Sequence, residues 1–461
     1  MKRNGPDFLG GNVAGLLGKF ALASAVSGLV GAVYNIVDQI FIGNCVGLIG
    51  NAATNVVFPL VTLSNAIAIM AGVGASAGFS LELGRGEQGK AGHRVGAGLL
   101  WMLGSGFFLT ILTLGLTEPM MRFFGATEEN LPYAVAYQHI TACSLLFFIF
   151  SVGGSAIIRA DGSPQYALFS VCLGAVVNIG LDALFMVHFR WSIRGAAWAT
   201  FAGQSLSGLT TLYYFLFRFR SFPLKWAYLR PDAAGLRKVF ILGLGPFVNH
   251  ASQMLVQILL NNALAFWGAV SIYGSDIPLA CAGITAKVSS ITTAIVIGIA
   301  QGAQPIISFN YGAKRCDRAR ETGKLAIYAV LAFSFAVFFC FQLFPRQITL
   351  LFGADNSEAY YAFAVKWFRI HMMLICVSGL QITVGNFFTA LGKPMMSVLI
   401  SVSRQVIAFP LLLLFLPRLF GLNGVLVSGP LADGLCAATA MAFFLSEWRK
   451  LKLLEQAGKE A

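Results

Sequence analysis

Four polar side chains lie inside apolar stretches of the sequence, and together they could bind a cation. Asp38 lies in "VYNIVDQIFIG", Asn178 and Asp182 share "VVNIGLDALF", and Thr200 lies in "GAAWATFAGQ". Because Asn178 and Asp182 are four residues apart, they face the same side of a helix. Two carboxylates, an amide and a hydroxyl form a hard-oxygen set suited to Na+, and the two carboxylates could instead share a proton. The residues alone do not decide between Na+ and H+.

The elements that position these side chains are membrane helices. Of 461 residues, 57% are hydrophobic and 11% are charged, against roughly a quarter charged in soluble domains. A membrane-spanning helix needs about 20 apolar residues, and the chain contains twelve candidate stretches, so we predict an all-α polytopic membrane protein. They lie near residues 15–42, 53–83, 95–116, 131–158, 165–188, 195–217, 239–267, 278–308, 323–344, 359–389, 395–417 and 423–446.

The net charge of +13 is concentrated in alternate loops, which indicates a membrane topology and no nucleic-acid partner. The basic loops contain Arg85, Lys90, Arg94, Arg218, Arg220, Lys225, Arg230, Arg237, Lys238, Lys314, Arg315, Arg318, Arg320 and Lys324. Cytoplasmic loops are enriched in Lys and Arg. We therefore expect a multi-pass protein of the plasma (cytoplasmic, or cell inner) membrane with both termini in the cytoplasm.

The chain contains an internal repeat with an offset of 228 to 230 residues. "FFGATEENLPYAVAYQHI" is echoed by "LFGADNSEAYYAFAVKWFRI", and "RADGSPQYALFSV" by "TALGKPMMSVLIS". Each half holds an even number of helices, so the halves run in the same direction. This predicts two six-helix lobes related by a pseudo-twofold axis along the membrane normal, with a central cavity between them. The predicted bounds are 1–217 for the N-terminal lobe, 218–238 for a cytoplasmic linker and 239–461 for the C-terminal lobe.

The repeat also tests whether the scaffold itself requires the four polar residues. The equivalent positions in the second half are Leu260, Ala408, Leu412 and Gly429, which have lost the whole set. Since an ionisable side chain at the bilayer centre costs about 2.5–3.5 kcal/mol, we predict an ion site in the N-terminal lobe only. The alternative is that the two aspartates merely cap or bridge helices within a packed lobe.

Three further charged residues lie at membrane depth in the second half, namely Lys287, Arg404 and Asp433. Asp433 could bind a cationic substrate, serve as a second ion site, or pair with Lys287 or Arg404. Residues expected to line the substrate cavity are Tyr34, Asn35, Met254, Gln257, Asn261, Lys287 and Asp433.

Other motifs carry less weight. "GRGEQGKA" resembles a phosphate-binding loop, but Ala91 replaces the Ser or Thr that would bind magnesium, and no strand precedes it. The eight cysteines and five histidines show no disulfide or zinc spacing. We expect no cofactor, no enzymatic activity and a monomer.

The helix 1 stretch "YNIVDQIFIG", the "FGA" before helices 4 and 10, and "NIGLDALF" in helix 5 resemble the multidrug and toxic compound extrusion (MATE) family, in its DinF-like branch. The resemblance implies cation-coupled export of drug-like, often cationic and amphipathic molecules, in exchange for Na+ or H+. It also implies that Asp38, Asn178, Asp182 and Thr200 form the coupling site.

One departure from the family concerns the start of helix 1, where relatives usually carry a proline and this chain has Ala23 and Ser24. Pro246 keeps the equivalent residue in helix 7. Whether helix 1 bends without its proline is left open.

The alternative function is a lipid-linked saccharide or lipid flippase of the wider superfamily.

Overall fold

The computed structural model describes residues 8–230, 232–274, 276–351 and 358–460, and within these ranges it contains helices and turns but no β-strand. Helices suit a lipid environment because an α-helix satisfies its backbone N–H and C=O groups within one segment. The predicted fold class is confirmed: the chain is an all-α protein of two six-helix lobes, whose twelve long helices are numbered α1 to α12 below.

The N-terminal lobe contains the first six long helices, and a short helix, Thr117–Phe123, precedes α4. They are α1 Val13–Cys45, α2 Leu48–Gly84, α3 Gln88–Gly115, α4 Leu131–Ala142 continued by Leu145–Ala160, α5 Pro164–Asp182 continued by the π-helix Ala183–His188, and α6 Ser192–Tyr213 continued by the π-helix Tyr214–Arg218.

The C-terminal lobe repeats this order, including a short helix, Pro345–Leu351, before its bent helix. Its long helices are α7 Ala233–Ala269, α8 Asp276–Gly312, α9 Cys316–Leu343, α10 Glu358–His371 continued by Ile375–Ala390, α11 Pro394–Val402 continued by the π-helix Ser403–Ala408 and by Phe409–Phe420, and α12 Leu422–Glu460. The helix α7 begins inside the predicted linker 218–238, and the exact bounds of lobes and linker remain predictions.

Eleven of the twelve predicted spans are long and apolar enough to cross a membrane within the described ranges, when each of the bent helices α4 and α10 counts as one span. The remaining span is α6, which carries a row of hydroxyl side chains. Ser207 and Thr211 of this row are buried against Ser170 of α5 at 3.3 and 3.2 Å. The polar face of α6 is therefore covered by its own lobe.

The helices α4 and α10 bend at equivalent points of the repeat, by 57° and 45°. In contrast, α1 runs without a break over 33 residues, and α7 also runs without a break although it contains Pro246. Helix α1 is therefore continuous without a proline, and α7 is continuous with one.

The two lobes pack closely near one end of the bundle, where α1 begins and α12 ends; we call this end the terminal face and the opposite end the far face. A Cβ atom on Gly298 of α8 would collide with the backbone of Ala25 on α1, and one on Gly74 of α2 with the backbone of Val239 on α7. These glycines let the backbones of the two lobes approach closely, as small residues do in membrane helices.

Helix α1 belongs to the cores of both lobes. Its first half contributes Leu17 and Phe20 to a buried cluster that includes Phe387 of α10, whereas Ile42 packs in a cluster with Met186 beside α5. A displacement of one lobe against the other therefore acts directly on the helix that carries Asp38.

Candidate functional site

The two aspartates predicted from the sequence come together between α1 and α5. The carboxyl groups of Asp38 and Asp182 are neighbours that interact with each other, and the residues are 6% and 0% exposed. Asp182 ends the regular part of α5, directly before a π-helical segment. Such segments are frequent at functional sites.

The amide and the hydroxyl complete this cluster. Asn178 lies one turn before Asp182 on α5, is 2% exposed, and donates from Nδ2 to Thr200 Oγ1 on α6 at 3.4 Å. The structure thus brings together all four residues of the predicted ion site, from three helices of the N-terminal lobe. Their role in ion binding remains a prediction at this point.

The cluster contains oxygen atoms that lack hydrogen-bond donors. Asp38 Oδ1, Asn178 Oδ1 and both carboxylate oxygens of Asp182 are buried without a hydrogen-bond partner. No Lys, Arg or His side chain in the described ranges lies within salt-bridge distance of either aspartate. Because buried polar groups are normally satisfied and buried charges are normally compensated, these oxygens fit a bound cation or a shared proton.

The chemistry of these ligands suits a hard cation. Only two of the four side chains can carry charge, and the other two are neutral oxygen donors. No cluster of three or more His, Cys, Asp or Glu side chains suited to a metal ion occurs in the part of the chain that the structure describes. Oxygen ligands without nitrogen or sulfur suit hard cations rather than zinc or copper.

Two residues beside the site were not singled out from the sequence. Tyr137 of α4 is 7% exposed and interacts electrostatically with both aspartates and with Thr200. Gln204 of α6 interacts with Tyr34 and accepts a hydrogen bond from Ser144 Oγ, at the bend of α4, at 2.6 Å. Neither side chain is charged, so neither is marked by a high cost of insertion into the membrane. The internal repeat could have pointed to Gln204, because it is the counterpart of Asp433.

The residues predicted to line the substrate cavity lie on α1, α7, α8 and α12, and their role stays a prediction. Gln257 and Asn261 are exposed on α7 and joined by a 2.9 Å hydrogen bond, and Lys287 is exposed on α8. Asn35 is exposed and donates to the carbonyl of Gly31 within its own helix. Tyr34 and Met254 are half-buried.

Asp433 forms an ion pair with Arg404, one of the two partners considered from the sequence. Arg404 Nε lies 2.6 Å from Asp433 Oδ1, linking α11 to α12, and the two side chains are 20% and 12% exposed. Asp433 is therefore neutralised within the protein, in contrast to the aspartates of the N-terminal lobe.

A pocket between the lobes lies nearer the terminal face than these predicted residues. It is lined by polar side chains of α7, α8 and α10, among them Asn249, Gln301, Gln381 and Asn386, and by Val73 of α2. Arg159, a guanidinium at the end of α4 that is only 6% exposed, donates to Gln301 Oε1 at 2.7 Å. Hydrogen bonds thus join the two lobes at the base of the pocket.

Comparison with proteins of known sequence gives relatives that span nearly the whole chain. Multidrug export protein MepA of Staphylococcus haemolyticus (strain JCSC1435) is 24% identical over 423 residues, which is 92% of this chain and 91% of the relative. Multidrug export protein MepA of Staphylococcus aureus (strain N315) is 22% identical over 422 residues, with the same shares covered.

Solved structures with this fold include two with 20% sequence identity and a TM-score of 0.89, each covering 97% of this chain and 98% of the other. One is a MOP superfamily transporter from Pyrococcus furiosus Vc1 (DSM3638), described as having a binding pocket of reversed polarity that suggests a different function. The other is an outward-facing multidrug resistance MATE family transporter of the MOP superfamily.

The profile of the MatE family matches residues 23–184 and 251–414. The two matched stretches are offset from one another by the same interval as the internal repeat, and each covers most of one lobe. The chain belongs to the MatE family.

Proposed function

We propose that this protein is a cation-coupled antiporter that exports drug-like, often cationic and amphipathic small molecules by alternating access, in exchange for H+ or Na+. The observation that carries the proposal is the group of buried, unpartnered oxygens on Asp38, Asn178 and Asp182. A neighbouring Lys or Arg would neutralise these oxygens permanently. Because they have no such neighbour within the described ranges, they suit an ion that binds and dissociates during transport. Export of drugs is carried over from the relatives named multidrug export proteins.

The ion would act on the lobes through differential affinity. A ligand shifts a conformational equilibrium only by the difference between its affinities for the two states. Since α1 packs against α8 near the terminal face and carries Asp38 in the N-terminal lobe, closing the oxygen cluster around an ion would move α1 relative to α8. Ion entry and substrate release would be linked in this way.

We place the terminal face in the cytoplasm of a cell whose plasma membrane holds the protein. Arg85, Lys238 and Arg315 illustrate the basic residues that gather at this end, which is the signature of cytoplasmic loops. With this orientation, the close lobe packing lies on the cytoplasmic side, and we infer that this state faces the outside. Substrate would leave from this state.

The test is transport of a fluorescent organic cation in proteoliposomes under separately imposed Na+ and H+ gradients. The wild-type protein should respond to at least one gradient, and Asp38→Asn should lose that response by roughly tenfold or more while still purifying as a folded protein. Asp317→Asn is the matched control, because it makes the same change at an exposed carboxylate that pairs with Arg315. Normal gradient-driven efflux by Asp38→Asn would contradict the proposal.

The same liposomes address the flippase alternative. An anionic lipid-linked saccharide carrier, offered in place of the organic cation, should neither compete for binding nor be moved. The charged groups of the buried N-terminal site are acidic, and an acidic site does not favour a pyrophosphate headgroup.

A further inference from the structure

The C-terminal lobe contains a salt bridge within its spans, between Arg404 of α11 and Asp433 of α12. In the described ranges, all other salt bridges involve residues at helix ends or in loops, such as Glu82 near the end of α2. A guanidinium and a carboxylate at this depth are both costly to insert. They therefore need a reason beyond holding two helices together, which apolar packing would do equally well.

The internal repeat places this pair close to the counterpart of the N-terminal ion site. Arg404 is equivalent to Gly174, four residues before Asn178 on α5, and Asp433 is equivalent to Gln204, four residues after Thr200 on α6. Because α5 and α6 run in opposite directions, both shifts lead one turn toward the terminal face. The pair thus lies one helical turn from the position where the other lobe holds its unpartnered oxygens.

The counterpart position itself is filled and lacks the four polar side chains of the N-terminal site. Gly429 replaces Thr200, and a Cβ atom there would lie only 2.6 Å from Cε1 of His371. The His371 ring stacks on Trp367 with their centroids 4.4 Å apart and lies 3.2 Å by Nδ1 from the carbonyl oxygen of Leu426. An aromatic pair therefore occupies the space that the N-terminal lobe leaves for its ion.

We propose that Arg404 is a tethered counter-cation that occupies Asp433 permanently, so that the C-terminal lobe takes up no exchangeable ion and coupling runs through the N-terminal site alone. Asp433 has a guanidinium at 2.6 Å, whereas Asp182 has no hydrogen-bond partner on either oxygen. This inference rests on the proposed function, because it assigns the number of coupling sites in an ion-coupled exporter. Arg404 is a positioning residue in this scheme and does not touch the substrate.

Removing the tethered charge should convert Asp433 into an ion-binding group. With Arg404→Met, the carboxylate would remain largely buried without a counter-charge, so it would require a proton or Na+. The titratable side chains that interact with the pair are His371 and Cys376 on α10 and Cys436 on α12. None of them is a fixed cation that could replace Arg404.

The experiment measures substrate binding to purified protein as a function of Na+ concentration and of pH. The wild-type protein, Arg404→Met, Arg404→Lys and the double variant Arg404→Met/Asp433→Asn are compared. Arg404→Met should add one linked ion, which increases the slope of log affinity against log ion concentration by about one. Arg404→Lys and the double variant should keep the wild-type slope.

The double variant decides the case if Arg404→Met does not fold, since it leaves no uncompensated charge in the lobe. An unchanged slope in a folded Arg404→Met variant, or loss of ion dependence in the double variant, would overturn the proposal. The latter result would mean that Asp433 itself is a coupling group. Failure of the proposed function looks different, because then the wild-type protein itself would show no ion dependence and Asp38→Asn would have no effect.

Discussion

At the scale of single residues, the carboxylates of the N-terminal site are distinguished by their lack of hydrogen-bond donors among the described residues. Asp161, at the turn after α4, shows the contrast: one oxygen accepts from Tyr214 Oη and the backbone N–H of Arg220, and the other from the N–H and hydroxyl of Ser221. Asp182, equally buried, accepts no hydrogen bond on either oxygen. A buried aspartate with a structural role is satisfied by its neighbours, so Asp182 has the properties of a binding group.

Because the carboxyl groups of Asp38 and Asp182 interact within one buried cluster, they should act as one unit. We predict that Asp182→Asn reduces ion-driven efflux as strongly as Asp38→Asn, by roughly tenfold or more, and that the double variant is no worse than either single one. Residues within one network are not additive. The measurement is dye efflux from proteoliposomes under the active ion gradient.

A matched control for this pair is the double change of Asp232→Asn and Asp317→Asn, which removes two carboxylates outside the spans. It should leave the gradient response intact. If the two site variants instead multiplied their effects, the aspartates would be separate sites and the shared-ion arrangement would be wrong.

The sequence analysis singled out the four residues that the structure brings together, but not their surroundings. Charged and amide residues inside apolar stretches are visible because their insertion is costly, and the repeat showed that the scaffold does not need them. Tyr137 carries no such signal, since an aromatic residue in a membrane helix is ordinary, and its interaction with the aspartates is visible only in the structure. The predicted cavity residues stay a prediction, because no periodicity in the sequence marks such residues; Gln257, Asn261 and Lys287 are exposed.

At the scale of helices, α1 is the element that links the ion site to the lobe contact. Its first half packs against α8 through Gly298, and its second half carries Asp38. A helix that runs unbroken from Val13 to Cys45 can transmit a displacement along its length. Ion exchange at Asp38 would then displace α1 at its contact with α8 without any kink in α1.

We predict that Gly298→Ala impairs export although it lies outside the ion site. The added Cβ would meet the Ala25 backbone, so α1 and α8 must separate or the state must change. We expect turnover to fall roughly fivefold, corresponding to about 1 kcal/mol as for a poorly accommodated packing change. Ion-dependent substrate binding should persist.

Gly283→Ala is the matched control, because Gly283 lies on the same helix and a Cβ atom there would have nothing within 4 Å. The comparison uses the efflux rate together with the ion dependence of binding. Equal rates for the two variants would show that the close α1–α8 approach does not matter for transport.

At the scale of the whole molecule, a cluster of charges joins the lobes at the terminal face. Glu82 of α2 has a side chain only 2% exposed, and it pairs with Lys238 of α7 at 2.6 Å, with Arg85 at 3.2 Å and with Arg94 at 3.9 Å. Trp101 of the N-terminal lobe also donates to the carbonyl of Leu236 on α7 at 3.0 Å. The repeat gives no equivalent in the second lobe, where Asn310 replaces Glu82.

Because this charge cluster occurs at only one pair of positions in the repeat, we expect it to favour the state closed at the terminal face over the state open there. Any state open at the terminal face must separate Glu82 from Lys238, because these residues belong to different lobes. Glu82 would then face Arg85 and Arg94 alone, with Lys238 left in water. Loss of the glutamate removes its ion pair between the lobes and leaves three basic side chains that repel one another, while the hydrogen bond from Trp101 to Leu236 remains.

We therefore predict that Glu82→Gln shifts the protein toward the state open at the terminal face. Since Lys238 is 40% exposed and its attraction is screened, we expect a shift of about 1 kcal/mol, roughly fivefold in the ratio of the two states. Ser24, 4% exposed on α1 near the α8 contact, provides the reporter when changed by Ser24→Cys. The background has Cys45, Cys143 and Cys340 replaced by serine, and the reagent is an impermeant maleimide applied from the terminal side. Glu82→Gln should speed the labelling of the new cysteine, whereas the control Glu87→Gln, which breaks an exposed pair with Lys90 within one lobe, should not. Equal labelling rates would mean that the charge cluster does not hold the lobes together.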